Sequence, residues 1–385
     1  MRATLTLRDV FGPGHLFSAR ASFSSPGWLS HDPAFRDFLT GTPLTVADGL
    51  PILVSAHVAD PQGLELLANA GLEIPDDLRI YDDERSHRAA LDSASERLVF
   101  QHVHPKDEVE PARCWVDPAL VSYLNNKANL ADLAPVESIP RRKVLPLGRA
   151  SDAARLRIPC AVKIASDESS AGGHGIRLCH TAADVRAALR DFARCDALVV
   201  EEFLPITRSF CVQFATTAGS TVYLGAPEQI VDAAGAYVGS WFEPRHEPPE
   251  EAIDLGRRVM DQAVSLGYRG FGGIDVVELE DGRFMVMDLN FRMNGSTVAL
   301  LLSDSVAQHD GSSVMRSVSL RFRGEWDDLI RGTATAMRDR HVIPMCTYRP
   351  PAGSGGPPRL QAMVTGPTRT AVNTRLDELR RAGFE

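Results

Sequence analysis

The stretch that most constrains this chain runs from Gly272 to Thr297, GGIDVVELEDGRFMVMDLNFRMNGST. Two alternating apolar runs flank an Asp-Gly pair, which is the strongest short-range signal for a β-hairpin. The predicted strands cover residues 273–279 and 284–290. Asp275 lies on the first strand, while Asp288 and Asn290 are two residues apart on the second and therefore share one face.

These three polar side chains bring oxygen atoms together on neighbouring strands. A hard cation such as Mg²⁺ takes carboxylate and amide oxygens together with the oxygens of a bound phosphate. The hairpin therefore predicts a magnesium site made by Asp275, Asp288 and Asn290. Taken alone, the same pattern also fits an ordinary hairpin whose acids face solvent, and the rest of the chain separates the two interpretations.

Length, composition and charge bound the class of protein. A chain of 385 residues with 44% apolar side chains can bury the cores of two or three domains. It has no apolar run of about 20 residues, and its first residues, MRATLTLRDVFGPG, lack the pattern of a signal peptide. The net charge of -9 argues against a general nucleic-acid binder. We expect a soluble cytoplasmic protein with neither a membrane nor a nucleic-acid partner.

The cysteines are scattered and show no Cys-x-x-Cys pair. In a chain of this size they are expected to be small buried apolar residues rather than metal ligands or disulfides. They are Cys114, Cys160, Cys179, Cys195, Cys211 and Cys346.

Lysine is rare in this chain. Of 41 basic residues only four are lysine, namely Lys106, Lys127, Lys143 and Lys163. A chain that otherwise uses arginine is expected to keep lysine where a compact charge on a flexible stem is needed, and phosphate binding is one such place.

Residues 1–120 alternate strand-like and helix-like segments, which favours an α/β layer. Residues 50–56 and 97–101 resemble buried strands, and 61–70 a helix that ends at Gly71. This region carries no catalytic motif. A few side chains could line a pocket, although a structural role is the more ordinary interpretation of the histidines among them: Trp28, His31, His102 and His104.

The middle of the chain carries polar residues inside apolar segments. Residues 117–133 predict one or two helices with Lys127, and 158–165 an apolar strand with Lys163 inside it. A buried lysine needs a partner, and we expect it in the loop that follows, SSAGGHG, whose backbone N–H groups could cradle phosphate oxygens. Residues 197–205 predict a strand followed by a bend, and the strand ends with the acid pair Glu201-Glu202.

The order of these parts resembles the ATP-grasp superfamily. The matching pieces are Lys127 after Asn-Asn, the strand lysine Lys163, the Ser-Ser-x-Gly-Gly loop at 169–175, the Val-Val-Glu-Glu-Phe-Leu segment at 199–204, and Asp-x-Asn-x-Arg at 288–292. The spacings also agree, since Ser169 follows Lys163 by six residues and Asp275 precedes Asp288 by thirteen.

The resemblance implies an α/β (α+β) chain with an ATP-grasp fold. It implies an N-terminal α/β domain over residues 1–120, two α+β lobes that enclose ATP over 121–205 and 206–325, and a small C-terminal α/β extension over 326–385. The second lobe would carry the metal site. The extension could cover the amine substrate or form a homodimer interface, and the sequence leaves both open.

The resemblance also implies a role for each matching residue. Lys127 and Lys163 would hold the ATP phosphates, and Arg292, the second catalytic residue beside Lys163, would contact the transferred phosphoryl group or the acceptor carboxylate. Asp275, Asp288 and Asn290 would bind one or two Mg²⁺ ions. The remaining implied ATP contacts are Ser169, Ser170, Gly172, Gly173, His174, Gly175, Glu201, Glu202, Phe203 and Leu204.

Two positions depart from the superfamily's pattern. Asp288 stands where the superfamily usually has glutamate, and its shorter side chain offers fewer contacts to each ion. Arg208 stands seven residues beyond Glu201, where an acid usually contacts the ribose hydroxyls. The ribose contacts are therefore open.

Within the superfamily, the whole chain resembles the pheganomycin-type peptide ligases, on the segments Tyr-Leu-Asn-Asn-Lys (123–127) and Asp-Leu-Asn-Phe-Arg-Met-Asn-Gly-Ser-Thr (288–297). This implies ATP-dependent joining of an amino-acid-like carboxylic acid to an amino acid or peptide amine through an acyl phosphate, in specialised peptide biosynthesis. His174 and Glu278 are candidate bases for the amine. A small-molecule kinase on the same scaffold and a non-catalytic ATP-binding module remain as alternatives.

Overall fold

A computed structural model describes residues 1–25, 27–30, 32–146, 156–170, 173–232, 235–243, 247–339 and 341–385. The helices in this part of the chain are α1 (Leu7–Phe11), α2 (Pro33–Phe38), α3 (Pro61–Asn69), α4 (Glu84–Ser93), α5 (Pro118–Asn125), α6 (Leu130–Leu133), α7 (Ala182–Asp191), α8 (Glu250–Ser265), α9 (Thr297–Asp310), α10 (Trp326–Arg338) and α11 (Arg369–Arg381).

The strands of the same residues form three sheets. They are β1 (His15–Ser18), β2 (Ile52–Ser55), β3 (Leu78–Tyr81), β4 (Arg97–Phe100), β5 (Arg142–Pro146), β6 (Cys160–Ala165), β7 (Ile176–Cys179), β8 (Ala197–Glu202), β9 (Ile206–Thr216), β10 (Thr221–Gly225), β11 (Glu228–Val231), β12 (Tyr237–Phe242), β13 (Phe271–Leu279), β14 (Phe284–Asn290), β15 (Val314–Arg321), β16 (Val342–Tyr348) and β17 (Arg359–Gly366).

The N-terminal region is built on a parallel sheet in the order β3-β2-β1-β4. The helix α3 begins cleanly because the Asp60 carboxylate accepts hydrogen bonds from the N–H groups of Gln62 and Gly63, and Pro61 occupies the first turn. The predicted alternation of strands and helices is thus confirmed. The strand order reverses between β1 and the edge strand β4, and the carboxyl ends of strands at such a point commonly bind ligands.

A buried histidine lies beside this sheet. His87 of α4 packs edge-on against the Tyr81 ring with a centroid distance of 4.8 Å and stacks on His104 at 6.0 Å. Burial lowers the pKa of His87 to about 3, and the positive charges of His104 and Arg20 act in the same direction, while Glu108 opposes them. His87 is therefore neutral in the folded protein at neutral pH.

The second sheet is antiparallel, in the order β5-β8-β6-β7. Its apolar core includes Val162, Ile164 and Val200, and Phe192, which follows α7, packs into the same core. This helix starts at a capping box in which the side chains of Thr181 and Asp184 bond each other's backbone.

The third and largest sheet runs β14-β13-β9-β11-β12-β15-β17-β16, with β10 paired to β9. It contains the predicted hairpin, whose strands β13 and β14 are antiparallel and joined at Asp281-Gly282. The strands β11 and β12, which were not predicted, lie at its centre. All pairings in this sheet are antiparallel.

The C-terminal strands continue the third sheet, because β15 pairs with β12. They also pack on the N-terminal region: a Cβ added to Gly63 of α3 would lie 2.2 Å from Thr347 Oγ1 of β16. One apolar core contains Ile52, Val54, Met345 and Met363, from both ends of the chain. The α/β fold class is confirmed, and the domain boundaries at 120, 205 and 325 stay a prediction.

The cysteine prediction is also confirmed, since all six are buried and unpaired. Among the residues that the structure covers, no helix combines the length and the apolar character needed to cross a bilayer.

Candidate active site

The two acids that the sequence predicts as metal ligands lie directly opposite each other on the hairpin. Asp275 of β13 pairs with Asp288 of β14, and Gly273 pairs with Asn290. The register shifts by one residue at Met287, so a β-bulge places Asp288 opposite Asp275. The predicted convergence of Asp275, Asp288 and Asn290 on one face is therefore what the pairing produces.

The two carboxylates have different surroundings. Asp275 accepts hydrogen bonds from Gln229 Nε2 at 3.0 Å and Asn290 Nδ2 at 3.3 Å. Burial, and then the charge of Asp288, raise the pKa of Asp275 to about 7. Burial also opposes ionisation of Asp288, but Lys127, which forms an ion pair with it, and Lys163 outweigh burial and lower the pKa of Asp288.

These residues fit Mg²⁺. The raised pKa of Asp275 indicates that two adjacent, partly buried carboxylates lack sufficient positive charge, which a divalent cation would supply. Within the described ranges, no cluster of three or more His, Cys, Asp or Glu side chains is arranged to hold a metal. The chain therefore offers two carboxylates and one amide, which suits an ion that takes its other ligands from phosphate and water.

Lys163 lies at the centre of a buried ion cluster. Its Nζ is 2.6 Å from Glu201 Oε2 and donates a hydrogen bond to the Met287 carbonyl at 2.9 Å. Arg142 Nη2 lies 3.3 Å from Glu201 Oε1. Lys163 is 3% exposed and Glu201 1%. The expectation that the glycine loop partners Lys163 was wrong, because Glu201 of the neighbouring strand β8 does so.

The strand β8 ends with two acids, Glu201 and Glu202, both of which form ion pairs. Glu202 accepts hydrogen bonds from the N–H and Nε of Arg141 at 2.9 and 2.8 Å. Phe203 is 39% exposed and its ring lies edge-on to His180 at 5.0 Å, while Leu204 packs in a small apolar cluster on the hairpin. That adenine lies against Glu201 to Leu204 stays a prediction.

The glycine-rich loop is described at Ser169, Ser170 and from Gly173 onward, and Gly172 lies outside the described residues. Gly173 has a φ of +78°, and a Cβ there would lie 3.2 Å from the Cα of Ala236. The hairpin of β11 and β12 thus lies against this loop. His174 is exposed, and Gly175 packs so closely on Ile164 that a Cβ would lie 2.6 Å from its Cδ1.

A segment of the N-terminal region, residues 27–30, which we name the strap, holds the start of this loop. The Trp28 N–H donates to the Ser169 carbonyl at 2.7 Å, and Trp28 and Ser170 form a parallel β-bridge. The Trp28 ring packs in the core of the second sheet and under Arg194, whose Cζ is 3.9 Å from the ring centroid. The strap therefore connects the N-terminal sheet to the loop.

Arg292 is held by a network that joins three parts of the site. Its Nη1 donates to Asn125 Oδ1 at 3.0 Å, and its Nη2 donates to Asn290 Oδ1 at 2.9 Å and to the Ser170 carbonyl at 2.8 Å. Asn125 Oδ1 also accepts from the Phe291 N–H at 2.9 Å. Asn125 and Gln229 were not predicted as site residues. The Asn-Asn pair before Lys127 was the available signal for Asn125.

Other predicted residues lie in ion pairs near the hairpin. Arg208 lies 3.4 Å from Glu228 and 3.7 Å from Glu278, and Arg369 at the start of α11 contacts Glu228 at 2.9 Å. The suggestion that Glu278 or His174 acts as a base stays a prediction. Of the remaining lysines, Lys106 and Lys143 are exposed, whereas Lys127 and Lys163 lie in the site.

Two family models match the chain. The ATP-grasp model of L-aspartate–L-methionine ligase matches residues 140–290, and the model of that ligase's N-terminal domain matches 6–122. The first match spans Lys163, Glu201 and the whole hairpin of β13 and β14. The chain belongs to the ATP-grasp superfamily.

Solved ATP-grasp structures share the fold along nearly the whole chain. N5-carboxyaminoimidazole ribonucleotide synthetase in its ADP complex has a TM-score of 0.63 at 12% identity, covering 99% of this chain and 98% of its own. The Aspergillus clavatus enzyme complexed with ATP gives 0.63 at 13%, covering 96% and 97%. Biotin carboxylase from Campylobacter jejuni gives 0.60 at 12%, covering 94% and 89%.

These findings confirm the ATP-grasp fold and peptide-ligase-like relatives. The chain is an ATP-dependent carboxylate–amine ligase, and ATP is its nucleotide substrate. The roles assigned to individual residues stay predictions that the geometry allows.

Proposed function

We propose that this ATP-grasp ligase joins L-aspartate, or a closely related acidic amino acid, to the α-amino group of a second amino acid such as L-methionine, through an acyl phosphate. Both family models name this pair of substrates. The structural observation that supports the proposal is that three cations converge on strand β14. Lys127 pairs with Asp288, Lys163 donates to the Met287 carbonyl, and Arg292 donates to Asn290.

In the first step, a carboxylate oxygen of the donor attacks the γ-phosphorus of ATP. The new O–P bond forms as the bond to the bridging oxygen of ADP breaks, and charge on the phosphoryl oxygens must be stabilised. Lys127, Lys163 and Arg292 would supply positive charge, and the N–H groups of the glycine loop would orient the phosphates. Mg²⁺, held by Asp275, Asp288 and Asn290, would neutralise phosphate charge.

In the second step, the amine nitrogen attacks the carbonyl carbon of the acyl phosphate. The C–N bond forms, the C–O bond to phosphate breaks, inorganic phosphate leaves, and the amine releases one proton. The protein's part is to align the amine and to exclude water from the acyl phosphate. The buried position of Lys163 and Glu201 suits such a site.

The decisive experiment measures ADP release and product mass with Mg²⁺-ATP, aspartate and methionine. We expect ADP and a product whose mass equals donor plus amine minus water, each dependent on both amino acids. A panel of other acids and amines ranks the alternatives. A stable phosphorylated product formed without an amine would make the protein a kinase, and no turnover across the panel would refute the ligase proposal.

A further inference from the structure

Arg142 of β5 is a buried cation that the mechanism described above does not use. Its side chain is 8% exposed, although β5 is an edge strand of the second sheet. The pairing places Arg142 opposite Glu201 on β8, and Lys163 on β6 opposite Val199. Because residues 199 and 201 share one face of β8, the side chains of Arg142 and Lys163 lie on that same face, on either side of Glu201.

This face of the second sheet is turned towards β14. Lys163 donates a hydrogen bond to the Met287 carbonyl at 2.9 Å, and Arg142 Nη2 donates to the Lys127 carbonyl. The side chain of Lys127 in turn forms an ion pair with Asp288. Arg142 therefore lies beside both lysines that are proposed to hold the ATP phosphates.

The protein satisfies only part of the Arg142 guanidinium. Nη2 contacts the Lys127 carbonyl and lies 3.3 Å from Glu201 Oε1. Nε and Nη1 are buried and have no hydrogen-bond partner among the residues that the structure describes. Burial lowers the pKa of Arg142 by more than the charges of Glu201 and Asp288 raise it. Buried donors without partners are costly and uncommon, so these two nitrogens point to an acceptor on a ligand.

The charges of the site favour an anion as that ligand. Three carboxylates and four cations of the described residues form one cluster. They are Asp275, Asp288 and Glu201, and Lys127, Lys163, Arg142 and Arg292. One positive charge is therefore left over even when every carboxylate is ionised, and the pKa of Asp275 is itself raised to about 7.

We propose that Arg142 is a further phosphate ligand of the ATP site, and that its Nε and Nη1 donate to oxygen atoms of the bound triphosphate. Arginine has enough N–H groups to do this while Nη2 keeps its contacts with Glu201 and the Lys127 carbonyl. This inference rests on the proposed function for the position of the phosphates. It adds a contact that the order of the ATP-grasp motifs did not indicate, because Arg142 lies in the segment between Lys127 and Lys163.

A purely structural role for Arg142 leads to a different expectation. If Arg142 only shields Glu201 and supports the hinge, its removal changes the binding of adenosine and of ATP to the same extent or leaves both unchanged. If Arg142 contacts phosphate, only the ligand that carries phosphates binds more weakly. The comparison of these two ligands therefore separates the two roles.

The test uses Arg142→Met, Arg142→Lys and the control Lys143→Met. Lys143 is the next residue of β5, is exposed and points to the opposite face of the strand. ADP release at varied ATP, with both amino acids in excess, gives the KM for ATP, and inhibition by adenosine in the same assay gives its inhibition constant. Varying each amino acid in turn gives the KM values for the other two substrates.

We expect Arg142→Met to raise the KM for ATP by about tenfold or more, as is typical when a hydrogen bond to a charged group is lost. The inhibition constant of adenosine and the KM values of the amino acids should stay at their wild-type values. Arg142→Lys keeps the charge but not the fork of donors, so its KM for ATP should lie between those of wild type and Arg142→Met. Lys143→Met should match wild type in every value.

An unchanged KM for ATP in both Arg142 variants would overturn the inference, and so would an equal rise in the inhibition constant of adenosine. A rise confined to the KM of an amino acid would also overturn it, because Arg142 would then bind a substrate carboxylate. If the wild-type enzyme released no ADP with any acid and amine, the proposed function would be refuted instead. Calorimetric titration of wild type and Arg142→Met with Mg²⁺-ATP would then still test the phosphate contact.

Discussion

Replacing Gly27 by alanine should disconnect the strap from the glycine-rich loop. Gly27 has a φ of +67°, and a Cβ built on it would lie 2.4 Å from the Ser169 carbonyl oxygen. The obstacle is backbone, so the neighbour cannot turn aside as a flexible side chain would. To avoid the clash, Gly27 and Ser169 must move apart, and this displaces the Trp28 N–H that donates to the Ser169 carbonyl at 2.7 Å.

Gly12 provides a matched control. It has a φ of +77° with nothing within 4 Å of an added Cβ. Placing alanine in this conformation costs about 1–2 kcal/mol in either position. Gly27→Ala also loses a backbone hydrogen bond worth about 0.5–1.5 kcal/mol and disturbs the packing of Trp28. We therefore expect Gly12→Ala to lower the free energy of unfolding by about 1–2 kcal/mol, and Gly27→Ala by about 2–4 kcal/mol.

Because the proposed function places the ATP phosphates against Ser169 and Ser170, the strap variant should also bind ATP less well. A loss of about 1–2 kcal/mol corresponds to a five- to thirty-fold increase in KM for ATP, whereas Gly12→Ala should keep the wild-type KM. ADP release at varied ATP gives the kinetic values, and urea unfolding gives the stabilities. If the two variants match in both stability and KM, the strap does not position the loop and the reasoning is refuted.

Three further perturbations test the site and the fold. Lys163→Met should lower the free energy of unfolding by about 3–5 kcal/mol, because it leaves Glu201 buried without its closest cation. In urea unfolding, the double variant Lys163→Met/Glu201→Gln should recover much of that loss, but the affinity for ATP should stay weak in the single and the double variant. Asp288→Asn should lower kcat on the order of 100-fold and raise the Mg²⁺ concentration required, while Asp281→Asn at the hairpin turn should match wild type in the same ADP-release assay. The pKa of His87 is lowered to about 3 in the folded protein, so the unfolded chain takes up a proton at this histidine as pH falls below its unfolded pKa of about 6.5, and the free energy of unfolding falls with it. Between pH 7.5 and pH 5 the wild type should therefore lose about 2 kcal/mol more stability than His87→Gln. Equal losses would show that His87 does not cause the acid destabilisation.

Much of the local structure could be predicted. The metal hairpin was found from Asp281-Gly282 and the alternation around it, because turn chemistry and side-chain period act over a few residues. The strand with Lys163 was found in the same way. By contrast, β11 and β12 were missed: Glu228–Val231 is short and carries two polar residues, and only its place between β9 and β12 makes it a strand.

In the candidate site, too, some features could be predicted from the sequence and others could not. Its residues were identified through motif order, since Lys127, Lys163, the glycine loop, Glu201 and the 288–292 segment occur in the ATP-grasp sequence. Their partners were not. Nothing near Lys163 in the sequence indicates Glu201 rather than the adjacent loop, because the pairing depends on β6 lying next to β8.

The sequence by itself determined the hairpin, the order of the ATP-grasp parts and the presence of an acid pair with its lysines, because each depends on residue types at short or constant spacing. Only the tertiary structure decided that Trp28 holds Ser169 and that Asn125 orients Arg292. These contacts join residues more than a hundred positions apart or on different sheets. Local periodicity carries no information about them, since they arise only when the sheets pack together.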